Sequence, residues 1–397
     1  INGHYGLVTG GFKSDRHRQN TLLVTIGISP PNPTMALSKT VTLPEELIID
    51  IFYRLPVKSI GRCRCLSKQW CDFLSDPQFI KLHFNLHAHS QEHKLILVSW
   101  RSQLHTITLN HNPPDEIDGI SRNLHFQHIL DNWISIPGSC NGLCLVVARK
   151  NVVFLINPTT LKYYNIPAFD LALPVEGSCY MYGFGYDVVS DDYKVVALSH
   201  HDTNNEYRAD TYVDIYSVRK GLWKQLGISP YDHSLTDRAS GVLVNGVLHW
   251  LACRTHEYST LIAGFDLTNE KFLEVTGPTL LGNNCFMCNL AAIKGCLCIS
   301  TSISRDLDTI TFWVMKEYGV KESWTKFKIT QPNLDDCPST LLCSINDDDD
   351  VLLDVNEELV VYNVKENQWK DLLIDVNAVT HEARTFTDSL ALVSPDF

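Results

Sequence analysis

The sequence has little positive charge and no long apolar run. Its 397 residues carry a formal net charge of −12, which disfavours a general binder of nucleic acid or anionic membranes, because phosphate binding needs a basic surface. No apolar run approaches the roughly 18 residues of a membrane-spanning helix. The most apolar stretch near the N-terminus, 22–28, contains Thr25 and Gly27 and has no convincing cleavage site, so it does not predict a signal peptide.

The sequence also lacks the marks of a secreted protein. Its 13 cysteines are odd in number and irregular in spacing, whereas a disulfide scaffold is normally shorter and evenly paired. No Asn-x-Ser/Thr acceptor occurs with x other than proline. A hydrophobic content of 44% is enough for a folded chain. These features predict a reduced, intracellular protein of the cytoplasm, the nucleus or both.

Motifs of known enzyme chemistry are missing. The chain has no phosphate-binding glycine loop, no HExxH and no pair of carboxylates in an acid/base context. Gly138–Gly142 (GSCNG) has the outline of a nucleophile elbow with Cys140 as the nucleophile. That motif requires a helix after the turn, and here an apolar strand, Leu143–Ala148, follows. A tight turn that enters a strand is the favoured interpretation.

Metal-binding patterns are incomplete as well. Cys285 and Cys288 have a spacing that is acceptable for zinc. Cys296 and Cys298 are separated by one residue, which does not form the usual ligand knuckle, so buried strand thiols are favoured. The acidic run Asn346–Asp350 lacks the alternating ligands of a calcium loop and predicts a solvated hairpin. The sequence therefore predicts no catalytic residue, no metal and no other cofactor.

What the sequence does contain, from Lys94 onward, is a repeat. Short β-rich runs alternate with polar turns, and they begin at Lys94, Asn141, Asp192, Asn245, Lys294 and Asp347, with gaps of 47, 51, 53, 49 and 53 residues. In four units an aromatic lies seven positions after an apolar residue near a strand end; the pairs are Ile156 with Tyr163, Tyr216 with Trp223, Phe265 with Phe272, and Tyr362 with Trp369. In the fifth unit Val314 precedes Trp324 by three residues more, as expected of a longer turn.

A period near 50 residues with several strands per unit is typical of a kelch-class β-propeller. We expect six four-stranded blades, with the repeated aromatic at the start of each outer strand and packed between blades. The tail 388–393 (DSLALV) is one more predicted strand, and we expect it to pair with the first blade and close the ring.

The segment before the repeat predicts a small all-α bundle. Leu43-Pro44-Glu45-Glu46 is a good helix start, with Thr42 as a candidate cap. Pro56 ends the first helix, two short helices follow, and Asp76-Pro77 opens a fourth. About 44 residues bury too little surface to be stable without support. The bundle is therefore either a cap on the larger domain or a module with a partner.

Specific sequence blocks occur within this bundle in a fixed order. They are Leu43–Ile48 (LPEELI), Leu55–Ser59 (LPVKS), Arg62–Lys68 (RCRCLSK) with Trp70, and Asp76–Ile80 (DPQFI). The stretch that they span resembles the F-box in its plant form. Gly61 departs from that pattern, where the family usually has a larger apolar residue. The resemblance implies binding of a Skp-type adaptor and, through it, of a cullin and a RING protein.

The repeat region carries a second resemblance. Its blocks are Gly138–Leu143 (GSCNGL), Asn157–Thr159 (NPT), Tyr182–Asp187 (YGFGYD), Asp192–Val195 (DYKV) and Asn245–Trp250 (NGVLHW). They look like the plant F-box-associated, kelch-like propeller of S-locus F-box-like and F-box-kelch proteins. The implied organisation is a disordered or non-native leader in 1–36, an F-box in 37–86, a His-rich linker in 87–93 and a propeller in 94–397. Met35 is the predicted native initiator.

The two resemblances together imply a non-catalytic substrate receptor of an SCF (Skp–cullin–F-box) ubiquitin ligase, which holds a target protein for ubiquitination and proteasomal degradation. The predicted adaptor contacts are Leu43, Pro44, Leu47, Ile48, Ile51, Leu55, Pro56, Val57, Ile60 and Trp70, of which some, Trp70 above all, are expected in the bundle core instead. Basic residues Arg62, Arg64 and Lys68 are either a solvated face or meet an acidic adaptor.

The target cannot be identified from the sequence, but the polar connections 200–210, 254–260 and 305–308 are candidate contacts, because propellers bind through loops on one face. Two alternatives remain. One is a propeller enzyme or lectin whose helices are a structural cap, and the other is an F-box–adaptor scaffold without ligase activity. A metal-bound or active-site Cys/His/Tyr set would favour the first, and absence of a cullin would favour the second.

Overall fold

Four short helices lie between Glu45 and His87. The computed structural model describes residues 23–24, 41–42, 44–87, 94–99, 103–112, 116–126, 134–168, 172–173, 177–201, 210–234, 240–254, 260–278, 285–303, 306–330, 340–345, 350–355, 358–370, 372–374 and 380–392. Two compact units are present, Ile1–His87 and Ala88–Phe397. The first contains β1 (Leu23–Val24) paired antiparallel with β2 (Val41–Thr42), then α1 (Glu45–Arg54), α2 (Val57–Cys63), α3 (Lys68–Leu74) and α4 (Pro77–His87). Met35, most of the predicted leader, and 88–93 of the predicted linker lie outside the described residues.

The helices begin at residues that suit a first turn. Pro44 is the N-terminal boundary residue of α1 and makes no side-chain cap; Thr42 lies in β2, so its predicted capping role was wrong. Ser67 caps α3, where its Oγ accepts a hydrogen bond from the Trp70 amide at 3.2 Å. The prediction that Asp76-Pro77 opens the fourth helix is confirmed, and Asp76 Oδ1 accepts bonds from the amides of Gln78 and Phe79 in its first turn.

The core of the helical unit is an aromatic cluster. The rings of Phe52 and Trp70 meet edge-on with centroids 4.9 Å apart. Phe73 packs against Trp70 at 6.0 Å and against Phe79 at 5.2 Å. Tyr53 stacks on Phe79 at 4.9 Å and so joins α1 to α4. Such pairs contribute about 0.5–1.5 kcal/mol beyond the area they bury, which supports a bundle of this size.

Three polar side chains bond carbonyl groups at or near helix ends. His83 of α4 makes a 2.8 Å hydrogen bond from Nε2 to the Leu55 carbonyl after α1. Arg64 donates two bonds, of 3.1 and 2.7 Å, to the Leu74 carbonyl at the end of α3. His87, which the sequence placed in the linker, is the last residue of α4, and its Nε2 bonds the Tyr53 carbonyl at 2.9 Å. These side chains provide N–H donors to carbonyl groups that would otherwise lack a partner in the bundle.

The second unit is a six-bladed β-propeller. In chain order its strands are β3 (Lys94–Ser99), β4 (Leu104–Asn112), β5 (Glu116–Leu124), β6 (Ile134–Cys140), β7 (Leu143–Ala148), β8 (Val152–Asn157), β9 (Lys162–Asn165), β10 (Ser178–Asp187), β11 (Asp192–His201), β12 (Tyr212–Ser217), β13 (Leu222–Ile228), β14 (Tyr231–Asp232), β15 (Val242–Val244), β16 (Val247–Arg254), β17 (Thr260–Asp266), β18 (Lys271–Val275), β19 (Cys285–Ile293), β20 (Cys296–Ile303), β21 (Asp306–Met315), β22 (Trp324–Thr330), β23 (Thr340–Ser344), β24 (Asp350–Val355), β25 (Glu358–Asn363), β26 (Gln368–Lys370), β27 (Leu372–Ile374) and β28 (Thr380–Phe386). Short 3-10 turns occur at Arg149–Asn151 and Lys321–Ser323.

The predicted count of six blades is confirmed. Blades two, three, five and six are the antiparallel sheets β6–β9, β10–β13, β19–β22 and β23–β26. In blade four, β14 and β15 both pair with β16, and β17 and β18 follow. Blade one has the order β28-β3-β4-β5-β27, in which β27 pairs parallel with β5 and covers the outer edge of the blade.

The ring is closed by the C-terminal part of the chain, but not by the predicted segment. β28 pairs with β3, with Ala383 opposite Leu97, and is the inner strand of blade one. The prediction of a strand in 388–393 was wrong; the described part of that tail is not a strand and lies against blade two, where the Asn157 side chain donates to the Ser389 and Ala391 carbonyls at 3.0 Å each. Polar side chains along β28 concealed its strand character in the sequence.

Two-residue turns connect the inner strand of three blades to the next strand. Asn141-Gly142, Asn245-Gly246 and Lys294-Gly295 all have positive φ, as a tight hairpin of this type requires. Gly142, for example, has φ +79° and lies so close to Ser389 that a Cβ would overlap its side chain. The GSCNG segment is therefore a turn between β6 and β7, and its interpretation as a strand-entering turn is confirmed.

The repeated aromatic pairs directly across the two outer strands. The register places Ile156 opposite Tyr163, Tyr216 opposite Trp223, Phe265 opposite Phe272, and Tyr362 opposite Trp369. In blade five Trp324 pairs with Met315 rather than Val314, across the longer turn. Trp223 Nε1 donates to the Pro167 carbonyl at 2.9 Å, and Trp324 Nε1 to the Thr276 carbonyl at 3.1 Å. Both carbonyls follow the outer strand of the preceding blade, so the predicted packing between blades is confirmed.

The polar residue at the end of the third strand closes the outer hairpin. In blades two, three, four and six its side-chain oxygen accepts backbone N–H bonds from the following turn, and the residues are Asn157, Ser217, Asp266 and Asn363. This is the Asx- or Ser-turn arrangement, which gives the turn its internal hydrogen bonds. Each repeated residue pair thus has two roles, since the apolar member contacts the aromatic and the polar member caps the turn.

An acidic residue at or just after the end of the inner strand joins two blades in two places. Asp187 forms an ion pair with Lys194 of its own blade at 3.0 Å and accepts from Thr268 Oγ1 of blade four at 2.7 Å. Asp388 likewise pairs with Lys94 of blade one and accepts from Thr159 Oγ1 of blade two at 2.9 Å. Burial alone would raise the pKa of Asp187, but hydrogen bonds from Ser190, Thr268 and Lys194 lower it well below the usual range.

Candidate functional site

The helical unit exposes an apolar row on α1. Leu47 is 51% exposed and Ile51 45% exposed, four residues apart on the same helix face. Pro44 and Pro56 are exposed at the two ends of α1, and Leu55 is half-buried. These five residues belong to the predicted adaptor-contact set. Their exposure leaves them available to a partner, and adaptor contact itself stays a prediction.

Four other members of the predicted set lie in the core. The fully or nearly buried side chains are Ile48, Val57, Ile60 and Trp70, with exposures of 3%, 7%, 0% and 7%. They hold the four helices together and are not available to a partner while this packing is kept. Leu43 lies outside the described residues. The structure therefore narrows the accessible set to Pro44, Leu47, Ile51, Leu55 and Pro56.

The exposed row lies away from the helix that covers α1. Tyr53 stacks on Phe79 of α4, which marks the covered side. At 100° per residue, Leu47 and Ile51 are turned from Tyr53 by roughly 120° and 160° around the helix axis. The apolar stripe of α1 is thus wider than the contact with α4, and its uncovered half is the candidate partner surface.

Additional exposed leucines were not predicted from the sequence. Leu66 is 41% exposed, and Leu82 and Leu86 of α4 are 53% and 65% exposed. Leu82 and Leu86 are four residues apart, so they form a second apolar row of the same kind as that on α1. The spacing of apolar residues in the sequence predicts both rows. It does not predict which residues of a broad apolar stripe remain exposed after the other helices have packed.

The basic residues of the helical unit divide into two roles. Arg64 is half-buried and bonds the Leu74 carbonyl, and burial lowers the pKa of its guanidinium. Arg62 and Lys68 are exposed. Arg64 therefore stabilises the bundle, whereas Arg62 and Lys68 remain candidates for contact with an acidic partner.

The three candidate target loops share one position in the propeller topology. Segments 200–210, 254–260 and 305–308 each connect the second strand of a blade to the third, in blades three, four and five. In an up-and-down blade these connections lie at the same end as the blade-to-blade connections, and the short hairpin turns lie at the other end. The loop tips 202–209, 255–259 and 304–305 lie outside the described residues.

A channel runs between the inner strands. Residues of all six blades line a cavity of about 580 Å³, among them Ser139, Ser240, Asn289, Thr340 and Arg384. Apolar lining comes from Val242, Met287 and Leu341, so the wall is mixed in polarity. A second stretch of about 310 Å³ adjoins it and reaches the hairpin turns of blades two and five. The sequence did not predict the lining, because it depends on which strand of each blade is innermost.

The cysteines considered as a nucleophile or as zinc ligands are strand residues whose environment suits neither role. Burial raises the pKa of the Cys140 and Cys298 thiols to about 12, which keeps both protonated at neutral pH. Cys288 donates to Ser302 Oγ at 3.4 Å, whereas Cys296 and Cys298 lie opposite Ile293 and Ala291. The register therefore separates Cys288 from the other pair along the strand; the Cys285 side chain lies outside the described residues. Among the residues that the structure describes, no group of three or more His, Cys, Asp or Glu is placed to hold a metal.

The acidic run Asn346–Asp350 was expected to be a solvated hairpin, and its last residue differs from that expectation because it is buried. Asp350 is fully buried, and its carboxylate accepts from Asn363 Nδ2 at 2.7 Å and pairs with Lys370 at 3.1 Å. Residues 346–349 lie outside the described residues. Asp350 thus belongs to the cross-strand packing of blade six and not to a calcium loop.

Comparison with known proteins agrees with both units. A model of the F-box domain matches residues 42–82, and a model of the F-box associated beta propeller domain matches residues 82–394. The chain belongs to the family of F-box proteins with an F-box-associated β-propeller domain, as the sequence resemblance predicted.

Relatives of similar length are known. F-box protein CPR1 of Arabidopsis thaliana is 31% identical over 377 residues, which cover 88% of this chain and 89% of that protein. An F-box/kelch-repeat protein of Arabidopsis thaliana is 30% identical over 341 residues, which cover 82% of this chain and 89% of that protein. Among solved structures, an oligogalacturonate lyase from Vibrio parahaemolyticus matches over 71% of this chain and 85% of that one. The TM-score is 0.37 and the sequence identity 8%, which is too low for a functional comparison. Within the described residues, no helix is long and apolar enough to cross a membrane.

Proposed function

We propose that this protein is the substrate-recognition subunit of an SCF ubiquitin ligase. The F-box unit binds a Skp-type adaptor, which links it to a cullin and a RING protein. The propeller holds a target protein. Family membership supports this assignment, and the structural feature that carries it is the uncovered apolar row of α1, Leu47 and Ile51, next to core residues of the same helix that are buried, Ile48 and Phe52.

The mechanism is proximity. A target bound to the propeller is held near a ubiquitin-charged conjugating enzyme, so that its lysines react at a raised effective concentration. This chain contributes binding and positioning, and the reacting groups belong to its partners. The raised thiol pKa values of Cys140 and Cys298 are consistent with this non-catalytic role. The proposed location is intracellular, in the cytoplasm, the nucleus or both.

The target contacts are proposed for one propeller face. The connections 200–210, 254–260 and 305–308 share the end of the blades that also carries the long blade-to-blade segments. Their polar and charged composition suits recognition of a protein surface more than that of a small apolar molecule. Exchange of these three loops with those of a relative should change which proteins are captured and leave adaptor binding unchanged.

The adaptor contact is tested with a variant of the exposed row. Leu47→Ala with Ile51→Ala should weaken adaptor binding by at least about 30-fold, because central apolar anchors of an interface contribute about 2 kcal/mol or more. Thermal unfolding should be nearly unchanged, since both side chains are about half exposed. Binding of the full chain to purified adaptor is measured by calorimetry. The companion variant Leu43→Ala with Pro44→Ala should abolish adaptor pull-down.

A matched control comes from the propeller. Val188 and Val189 are 74% and 78% exposed on a hairpin turn, so Val188→Ala with Val189→Ala removes similar exposed apolar surface at a site without a proposed adaptor role. Unchanged adaptor affinity in the α1 variant would contradict the assignment. Adaptor without cullin in affinity purifications from proteasome-inhibited cells would favour a scaffold instead of a ligase.

A further inference from the structure

The central channel has the size of a small-ligand pocket. Its main stretch has a volume of about 580 Å³, within the roughly 300–1,000 Å³ that pockets for small molecules occupy. Its lining combines apolar residues with a few polar ones, Ser139, Ser240, Asn289, Thr340 and Arg384, which is the usual composition of such pockets. The channel is built from inner strands of a closed ring, so its shape is set by the packing of the blades and not by loops.

The charge of the channel is opposite to that of the chain. The protein has a net charge of −12, yet the charged side chains that line the two stretches of the channel are Arg384, Lys94 and Lys294. Neither stretch is lined by a described Asp or Glu. Arg384 and Lys94 each form an ion pair with a carboxylate that does not line either stretch, Glu382 and Asp388. The charged groups that line the channel are therefore hydrogen-bond donors, and such donors suit an anionic acceptor.

Arg384 is the charged group of the main stretch, and it is held in a defined position. Its Nη1 donates to the Ala383 carbonyl at 2.8 Å. Its Nη2 donates to Ser240 Oγ of blade four at 3.2 Å and pairs with Glu382 Oε1 at 2.8 Å. Blade four lies across the ring from blade one, so the guanidinium reaches over the channel. An arginine that is fixed in this way loses little conformational entropy when a ligand binds.

The arginine retains hydrogen-bonding capacity toward the channel. Glu382 does not line the cavity; its Oε2 accepts from the Ile136 amide of blade two at 2.8 Å and is used in the wall. A guanidinium has five N–H donors, and the described contacts of Arg384 use three. Among the described residues, its Nε–H and one Nη1–H have no acceptor. Its side chain is 28% exposed, so these donors can be reached.

We propose that the central channel binds a ligand through a carboxylate group placed against Arg384. The Ser240 hydroxyl lies beside the guanidinium, and the partly exposed Val242 and Met287 provide apolar wall for the rest of the ligand. The carboxylate belongs either to a free small acid or to the C-terminus of a peptide segment that enters the channel. This inference extends beyond the proposed ligase role and does not depend on it, because binding is measured on the purified chain alone.

The first experiment compares a carboxylate with its neutral analogue. Fluorine NMR of 4-fluorocinnamate and 4-fluorocinnamamide is recorded with the full chain. A second arm uses a short peptide with a free C-terminal carboxylate and the same peptide as its amide. We expect broadening of at least one carboxylate probe and none of the matched amide, with weakening as chloride is raised. Binding of 4-fluorocinnamate identifies a free acid as the ligand class, and binding of the peptide alone identifies a peptide carboxylate.

Variants locate the site. Arg384→Met should lower the affinity for the bound probe at least 10-fold, whereas Arg219→Met, which removes a 48% exposed arginine on the outer surface, should leave it unchanged. Should Arg384→Met fail to fold, the wild-type chain supplies the same information. Phenylglyoxal modifies accessible arginines, and the bound carboxylate should protect Arg384 but not Arg219, as measured by mass spectrometry of the derived peptides.

Three outcomes would overturn the proposal. One is no binding of any carboxylate probe at millimolar concentration. Another is equal binding of the carboxylate and its amide. The third is a bound probe whose affinity is the same in folded Arg384→Met or which gives no protection of Arg384. In any of these cases the role of Arg384 is structural, as a contact between blades one and four, and the channel site has no ligand. Adaptor binding is not affected by any of these results, so failure here is distinct from failure of the ligase assignment.

Discussion

The helical unit and the propeller manage apolar surface in different ways. The four helices bury one aromatic cluster and leave Leu47, Ile51, Leu82 and Leu86 exposed. The propeller repeats its core six times and places the repeated aromatics between neighbouring blades. A short chain has too little interior to cover its apolar stripes, whereas a closed ring gives every blade two neighbours. The helical unit is therefore left with exposed apolar rows, which are the proposed partner surface, whereas the propeller gains stability from closure of its ring.

Removal of the strand that closes the ring should have the largest effect on the propeller. Deletion of 380–397 removes β28, which leaves β3 as an unpaired inner edge and uncovers the buried Leu95 and Leu97. We expect complete loss of the cooperative unfolding transition of the propeller and retention of the helical signal of the N-terminal unit. Calorimetry and circular dichroism measure the two transitions. A synthetic peptide of 380–392 should restore the lost transition in part, and a wild-type transition without it would show that closure is dispensable.

A core substitution tests how much each unit can tolerate. Trp70→Ala in the helical unit and Trp250→Ala in the propeller remove buried rings of the same type, at a cost of about 3–5 kcal/mol each. A bundle of about 44 residues has little more stability than that, so Trp70→Ala should unfold it at 25 °C. Trp250→Ala should lower the denaturant midpoint of the propeller's unfolding, and the propeller should remain folded without denaturant. Denaturant titrations followed by circular dichroism measure both variants. The expectation is contradicted if both units unfold, or if both stay folded, without denaturant.

Acid should destabilise the propeller through buried histidines. Burial lowers the pKa of His249 to about 4 and that of His233 to about 3, against about 6.5 in an unfolded chain. Between about pH 6.5 and 4 the unfolded chain therefore binds more protons, and the free energy of unfolding falls as the pH falls, by up to about 1.4 kcal/mol per unit for each group. Asp214 acts in the opposite direction, because burial raises its pKa. In the helical unit burial also lowers the pKa of His83.

The contribution of one histidine can be isolated. His249 bonds the Tyr318 hydroxyl at 2.8 Å and the Val242 carbonyl at 3.0 Å. In His249→Gln the residue at this position no longer titrates, so the plot of unfolding free energy against pH should be flatter than in wild type by up to about 1.4 kcal/mol per unit below pH 6.5. Denaturant titrations from pH 7 to 4 measure both slopes. Parallel slopes would show that His249 does not contribute to the acid response.

The smallest expected effect is a gain in the stability of the helical unit from a substitution at Gly61. Gly61 lies in α2, it is exposed, and a Cβ at this position meets nothing within 4 Å. Gly61→Ala should raise the stability of the helical unit by about 1 kcal/mol, because alanine loses less conformational freedom in a helix. Gly142→Ala is the contrasting control, since φ is +79° there and a Cβ would overlap Ser389. Loss of stability in Gly61→Ala, measured by thermal unfolding, would contradict the first expectation.

Local patterns predicted the elements well because their causes are local. The period near 50 and the aromatic seven positions after each strand end follow from cross-strand pairing, which one hairpin decides. Asp76 and Ser67 cap their helices through bonds to amides within three residues. The erroneous cap at Thr42 has a non-local cause, because Thr42 pairs with Leu23 across many residues of chain.

Sites were harder to predict because exposure is a collective property. Leu47 and Ile48 are neighbours in the same apolar stripe, yet Leu47 is 51% exposed and Ile48 only 3%. Which of them is covered depends on where the other helices pack. The inner strand of blade one was missed for the same reason, since Glu382 and Arg384 look unfavourable for a buried strand until the channel provides their partners.

The two-part organisation, the family, the six repeats and the chemistry of the turns can be predicted from the sequence alone, since they depend on residues that are close along the chain. Three features required the tertiary structure: which segment closes the ring, which apolar residues of α1 are left exposed, and the contact of Arg384 with Ser240 across the channel. Those features depend on contacts between residues up to 294 positions apart, as for Lys94 and Asp388, and such contacts leave no periodic signal in the sequence.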